Sequence, residues 1–225
     1  METNLIADLR VPVLSVNCGK AQRFRDADEH SAIDKRPADG PVPVTFLGLT
    51  GDEQADLTVH GGPEKAIHHY PHDHYAFWRE ALGEHPLLAG HGAFGENIST
   101  QGLTEDAVCI GDRFRLGTAL VEVCQGRQPC WKLDHRFGGG AKVMAQVVTT
   151  RRSGWYYRVI EEGAVSAGDM LELVERPFGE WTVERVFGLL IAGGHKRDRA
   201  GLDALAQVPV LSEAWQNRCA KLRAA

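Results

Sequence analysis

The chain is short of cysteine, of net charge and of long apolar runs, and each shortage excludes something. Its 225 residues include only five cysteines, Cys18, Cys109, Cys124, Cys130 and Cys219. The set is odd and sparse, without a C-x-x-C pair, so a disulfide framework is not expected and a reducing compartment suits it better. Four of the five read as small core hydrophobes. The formal net charge is −5. That argues against nucleic acid as a partner, because phosphate-backbone binding rests on concentrated Lys and Arg; any anion site must be a local pocket. No apolar run approaches the roughly 18 residues that a membrane helix needs. The acidic start, Met1-Glu2-Thr3-Asn4-Leu5-Ile6-Ala7-Asp8, does not read as a signal peptide. A cytoplasmic protein with no membrane partner is expected.

What the chain does have is ordinary globular usage, 43% hydrophobic and 24% charged, enough for a packed core. Up to about Val174 it is rich in Gly and in short alternating runs, which predict strands and turns. Examples are Val42-Pro43-Val44-Thr45-Phe46-Leu47, Ala119-Leu120-Val121-Glu122-Val123 and Trp155-Tyr156-Tyr157-Arg158-Val159-Ile160. Gly111-Asp112 and Gly168-Asp169 each precede alternating apolar residues, predicting two turn-into-strand units of one barrel or sandwich. Helices are expected over His72 to Leu82, where Tyr75, Trp78 and Leu82 share a face, and over Lys142 to Val148. After Arg176-Pro177-Phe178-Gly179 the character turns helical, with segments at Thr182–Ala192, Asp198–Ala206 and Ser212–Leu222, the last with Ser212 as N-cap. The expected division is a β domain over 1–176 and a three-helix unit over 177–225, too small to fold without support.

The most informative stretch is Cys124-Gln125-Gly126-Arg127-Gln128-Pro129-Cys130-Trp131-Lys132-Leu133. It follows a strand, breaks at Gly126 and Pro129, and presents Cys130 between Arg127 and Lys132. Positive neighbours favour the thiolate, the form that attacks or binds metal, and Pro129 puts this cysteine in a fixed loop at a strand end. Cys124, on the alternating strand, reads as core, and Cys109 and Cys18 look similar. In His60-Gly61-Gly62-Pro63-Glu64-Lys65-Ala66-Ile67-His68-His69-Tyr70-Pro71, the glycines allow close backbone approach and Lys65 can reach an anion. The spacing is not that of a Walker loop. Zinc on the histidines is disfavoured, since H-E-x-x-H is absent and His68 and His69 point to opposite sides if extended; His72 and His74 read as solvated. Gly95-Glu96-Asn97-Ile98 suggests a strained turn aiming two polar side chains. Gly51-Asp52-Glu53-Gln54-Ala55-Asp56 reads as a solvated turn. A soft thiolate with cations for an anion suits a ligand bearing both phosphate and a thiophilic metal.

These strings, with Gly154-Trp155-Tyr156-Tyr157-Arg158-Val159 and the tail segments Trp181-Thr182-Val183 and Leu211-Ser212-Glu213-Ala214-Trp215, resemble the MOSC domain proteins, specifically their YiiM-like branch. The resemblance covers nearly the whole chain, in order. It implies a mainly β fold, a MOSC-type β-barrel with a few helices and a closing three-helix domain. It also implies a molybdenum cofactor of the molybdopterin type, with Cys130 as the metal's protein ligand. Related proteins, including the mitochondrial amidoxime-reducing component, reduce N-hydroxylated substrates, and YiiM-like proteins are linked to detoxifying N-hydroxylated base analogues. Electrons come from a separate reductase, a flavin or iron–sulfur protein; this chain carries no obvious flavin, haem or iron–sulfur motif of its own.

Carried onto this chain, the resemblance makes Lys65, Arg127 and Arg158 contacts for the pterin phosphate, beside the His60-Gly61-Gly62 turn. His68, His69, Asn97 and Gln128 become pterin or oxo-group hydrogen-bond partners, and Glu96 a candidate for proton delivery. The expected function is a molybdenum-dependent oxidoreductase acting on small N-hydroxylated compounds as a monomer or dimer. The rivals are a sulfur carrier with a persulfide on Cys130, a cofactor-storage protein, and a zinc hydrolase on the histidines.

Overall fold

The structure, a computed structural model, describes residues 9–24, 29–55 and 61–225. The readings that rest on Met1–Asp8 and on His60 lie outside them. Seven strands form a barrel: β1 (Arg10–Cys18), β2 (Ile67–Pro71), β3 (Ile98–Thr100), β4 (Arg113–Leu116), β5 (Ala119–Gly126), β6 (Trp155–Glu161) and β7 (Met170–Glu175). Their order is β7-β4-β5-β6-β2-β3-β1, and β1 pairs back onto β7 to close the ring. Every pairing is antiparallel except β2 with β3, which run parallel with His69 opposite Ile98. Closure removes the edges that an open sheet would expose.

The period-2 rule sets the two faces of the barrel wall. On β6, Trp155, Tyr157 and Val159 are buried while Tyr156 and Arg158 point the other way. Trp155 pairs with His69 and Tyr157 with Val123, whereas Tyr156 pairs with His68 and Arg158 with Glu122. The first set, with Phe114 and Val121, fills the barrel. Two strand-entry turns obey one rule: the Asp112 carboxylate accepts the Cys109 N–H and the Asp169 carboxylate the Ser166 N–H, each 2.8 Å and three residues back. The strands they launch pair with each other, Leu171 opposite Leu116. The run expected to Leu47 leaves its strand at Thr45, where Phe46 and Leu47 make an exposed hairpin tip.

Six α-helices complement the barrel among the described residues: α1 (His74–Leu82), α2 (Trp131–Arg136), α3 (Val143–Thr150), α4 (Val183–Leu190), α5 (Arg199–Leu205) and α6 (Glu213–Ala224). Helix α2 stands where the sequence predicts a loop. The tail helices start on side-chain caps, Thr182 to Arg185 N–H at 3.2 Å, Asp198 to Gly201 N–H at 2.7 Å and Ser212 to Trp215 N–H at 3.3 Å. Strand β7 ends at Glu175 and α4 begins at Val183, yet the tail shares the barrel's core, with Val183, Phe187, Leu190 and Trp215 in one buried cluster with Val121 and Val123. A Cβ on Gly126 would lie 2.9 Å from the Trp215 ring, so only glycine lets α6 seat there. Among the described residues no helix is long and apolar enough to cross a membrane.

Candidate functional site

Strand β5 delivers the chain to the site. Arg127 still donates its N–H to the Gly154 carbonyl at 3.0 Å, then Gln128 and Pro129 leave the sheet and Cys130 becomes the N-cap of α2 with an extended backbone. Its half-buried thiol lies in the wall between two cavities. The larger, about 600 Å³, opens between the barrel wall and α6 and carries Lys65, Arg218 and Lys221 beside Trp131 and Trp215. No acidic side chain lines it among the described residues. An acidic protein thus concentrates positive charge in one cleft. The smaller cavity, about 90 Å³, has apolar walls from Ile33, Ala55 and Phe94, with Lys35 and Lys132 at its margin. Lys132 is held by the His30 carbonyl at 2.9 Å. Cys130 and Tyr156 belong to both cavities.

Behind Tyr156 sit His68, with a ring nitrogen that lacks a partner among the described residues, and the buried Arg127. The His68 ring centre lies 5.0 Å from that of Tyr156. Its Nδ1 faces the Gly95 carbonyl at 3.2 Å, and its buried Nε2 has no partner among the described residues. Burial, then the Arg127 charge, holds His68 well below the usual histidine range, so the ring is neutral and Nε2 offers a lone pair. Arg127 is only 7% exposed and forms no ion pair among the described residues. Burial raises the Tyr156 phenol, the nearby guanidinium lowers it and the Cys130 sulfur raises it again; the net effect is upward, so Tyr156 keeps its O–H. A buried cation without a carboxylate is costly unless an anion comes to it.

The remaining sequence candidates divide. Gly62, with φ 89°, caps a 3₁₀ turn over Pro63–Lys65, and a Cβ there would meet nothing, so the demand is conformational. This turn, following Gly61, brings Lys65 to the large cavity, and Gln128 lines it too. Four candidates face elsewhere. His69 points into the barrel, bonded to Tyr157 at 3.0 Å and Thr100 at 2.8 Å and stacked on Trp155. Asn97 binds the Asn17 carbonyl, Asp52 and the His68 N–H. Glu96 is fully buried, accepting from Tyr75, Gly92, Phe94 and Ser99. The strained turn therefore aims both side chains inward. Arg158 pairs with Glu64 at 2.8 Å and Glu122 at 3.2 Å, and Glu122 also takes Arg113 at 2.9 Å. Its guanidinium is committed to that chain of ions and lines neither cavity.

Two solvated readings also change. His74 is buried against Glu105 at 2.6 Å, and Asp52 is a buried clamp holding Lys35, Asn97 and the Gly19 N–H. Cys124 and Cys109 are core thiols as expected, pushed by burial up to about 12 and about 11, whereas Cys18 is half-buried. Among the described residues no group of three or more His, Cys, Asp or Glu could hold a metal.

Comparison with known proteins now adds its weight. The MOSC domain family model matches residues 56–172, about half of the chain. The chain belongs to the MOSC family. Within it, the protein is 43% identical over 209 residues to the uncharacterized protein YflK of Bacillus subtilis, covering 92% of both chains. It is 47% identical over 169 residues to protein YiiM of Escherichia coli, covering 75% of this chain and 74% of that one. A Gibberella moniliformis protein called a reductase is 40% identical over 176 residues, 77% of this chain but 31% of that longer one. The crystal structure of YiiM from Geobacillus stearothermophilus superposes with a TM-score of 0.78 at 35% identity, covering 95% of this chain and 99% of that one. This is a YiiM-like MOSC protein with the mainly β barrel that the resemblance implied.

Sequence reasoning missed three residues that line the cleft. Tyr156 carried a signal, since the Trp155-Tyr156-Tyr157 alternation puts the middle ring on the opposite face from its neighbours. Arg218 and Lys221 carried none. They lie on a polar helix about ninety residues downstream of Cys130, and only the tail's docking brings them to the cleft.

Proposed function

We propose that this protein holds a molybdenum cofactor through the Cys130 thiolate and reduces small N-hydroxylated compounds with electrons from a partner flavin or iron–sulfur reductase. The observation that carries the reading is Arg127, a buried guanidinium without an ion pair among the described residues, set behind the Cys130–Tyr156 wall beside the unpartnered His68 Nε2. A soft thiolate, a buried cation, a neutral acceptor and a cationic cleft of about 600 Å³ fit a thiophilic metal carried by an anionic, polar heterocycle. Family membership and the relative called a reductase lend support.

Bound there, the cofactor supplies a two-electron redox centre able to accept an oxygen atom. The chain's own residues bind and orient. Cys130 provides the metal ligand, Lys65 and Arg127 offset negative charge, and Trp131 and Gln128 line the cleft. Converting N–OH to N–H releases water and consumes two electrons and two protons. Tyr156 keeps an O–H donor in the wall shared by both cavities, within reach of a group bound on either side. The small apolar cavity on the far side of Cys130 excludes bulk water where a compact substrate would approach.

The test is molybdenum and pterin content of protein made in a cofactor-competent host, beside Cys130→Ser. Near-stoichiometric contents, with molybdenum lost in the variant and N-hydroxy reduction lost with it, are expected. Absence of both after reconstitution would overturn the reading and favour a persulfide-carrying Cys130, which mass spectrometry would detect.

A further inference from the structure

We infer that the C-terminal helix completes this site, with Arg218 and Lys221 of α6 forming, together with Lys65, the half of the cleft that takes a phosphate monoester. The assignment rests on the cofactor reading above, since it names the group on that ligand which the tail would hold. Besides Trp215, four α6 residues line the cleft, Ala214, Asn217, Arg218 and Lys221. Their spacing of three, four and seven is one helical face, so the helix presents a continuous wall to the barrel.

Charge is distributed unevenly on that helix. Arg223 is neutralised by Asp203 at 2.6 Å. Arg218 and Lys221 form no ion pair among the described residues, and both lie where no carboxylate lines the cleft. Arg218 is further fixed because its Nε donates to the Leu190 carbonyl at 2.6 Å, which anchors the guanidinium beside the cavity. A planar fork and an ammonium converging on one space match a phosphate's oxygens.

The wall is also fastened to the other half of the site. Glu64, next to Lys65, accepts the Glu213 N–H at 2.9 Å through one oxygen and Arg158 through the other. Ser212 donates to Gln125 at 2.5 Å, and its N–H reaches the Cys124 carbonyl at 3.0 Å. Trp215 seats on Gly126. The first turn of α6 is thereby tied both to the turn that carries Lys65 and to the strand that leads to Cys130. Such preorganisation is what an anion site needs to avoid an ordering penalty.

The experiment compares wild type, Arg218→Gln/Lys221→Gln and the charge-keeping Arg218→Lys/Lys221→Arg, all from a cofactor-competent host, with thermal unfolding as the fold control. In the neutral variant pterin should dissociate at least about tenfold faster, and the charge-keeping variant should recover most of the retention. Calorimetric titration of the cofactor-free proteins with inorganic pyrophosphate gives a second readout, with binding expected in wild type and at least about tenfold weaker in the neutral variant. A wild type that carries neither molybdenum nor pterin but binds pyrophosphate through Arg218 and Lys221 would refute the cofactor reading and keep the anion site. Equal pterin retention and equal pyrophosphate affinity in wild type and a folded neutral variant would refute the role of α6.

Discussion

Replacing Glu96 with alanine removes a buried carboxylate that accepts four hydrogen bonds, from Tyr75 at 2.6 Å, Gly92 N–H at 2.8 Å, Phe94 N–H at 3.0 Å and Ser99 at 3.3 Å. At about 1–1.5 kcal/mol each the loss is about 4–6 kcal/mol, before counting amides left unpaired inside the loop. For a chain of this length each kcal/mol lowers the melting temperature by about 2–4 °C, so a fall of about 10–20 °C is expected. Glu96→Gln is gentler and more discriminating. One oxygen can keep Gly92, Tyr75 and Ser99, but the amide then faces the Phe94 N–H, donor against donor, costing about 1–3 kcal/mol. Flipping the amide does not relieve it, because burial keeps the Tyr75 phenol protonated and the Gly92 N–H is a fixed donor. Thermal unfolding by circular dichroism, run beside an N-hydroxy reduction assay, separates two roles. A loop-forming carboxylate loses stability in both variants. A proton donor would leave Glu96→Gln melting within about 2 °C of wild type while turnover fell about a hundredfold, and that result would refute the structural assignment.

Other outcomes follow from the same geometry. Arg127→Gln should stabilise the cofactor-free protein by about 1–3 kcal/mol in urea unfolding, by removing a buried unpaired cation, while weakening cofactor retention; a destabilised variant would mean that the guanidinium has a compensating partner. Burial holds His69 down to about 3. Below about pH 6.5 the unfolded chain therefore takes up a proton that the native state refuses, and stability falls as the pH drops toward 3, by about 1.4 kcal/mol per pH unit. Urea midpoints at pH 7, 6 and 5 should show that slope reduced in His69→Gln, and an unchanged slope would remove His69 from the account. A maleimide at pH 7.5 should label Cys130 first in the folded protein, the half-buried Cys18 more slowly because burial raises its thiol, and spare the buried Cys109, Cys124 and Cys219. Rapid labelling of Cys124, read by peptide mass spectrometry, would contradict its burial in the barrel wall.

Periodicity was legible wherever an element was long enough to show it. The Trp155 to Ile160 alternation marks β6, and the capped segments after Arg176 mark three helices within one or two residues of their bounds. Helix α2 escaped because Gln128-Pro129 reads as a breaker and six residues are too few to show a 3.6 period. At the cleft, basic flanks single out Cys130 in the sequence, and the structure sets it between two cavities. Glu96, Asn97 and Arg158 were legible only as polar residues, since a side chain's type states what it can bond and not where that bond is made. Asn97 is spent on Asn17, eighty residues away, and Arg158 on Glu64, ninety-four away. His74 looked solvated because its partner, Glu105, lies thirty-one residues on.

The tail after residue 176, which the sequence leads one to expect as a separate unit, shares one core with the barrel and lines the cleft. The interior of the seven-stranded barrel is filled by Trp155, Tyr157, Phe114 and His69. Both cavities that carry Cys130 are lined by Tyr156, on the outer face where alternation also places His68 and Gln125. One sheet face cannot enclose a ligand or exclude water, and the electrostatic value of Arg127 depends on that exclusion. A second wall is required, and the tail supplies it through Trp215 and the cationic face of α6. The small helical unit, with too little core to stand alone, is stabilised by burying Val183, Phe187 and Trp215 on the barrel. The same packing that buries the tail's core closes the cleft, so a ligand bound there would stabilise the tail through one interface.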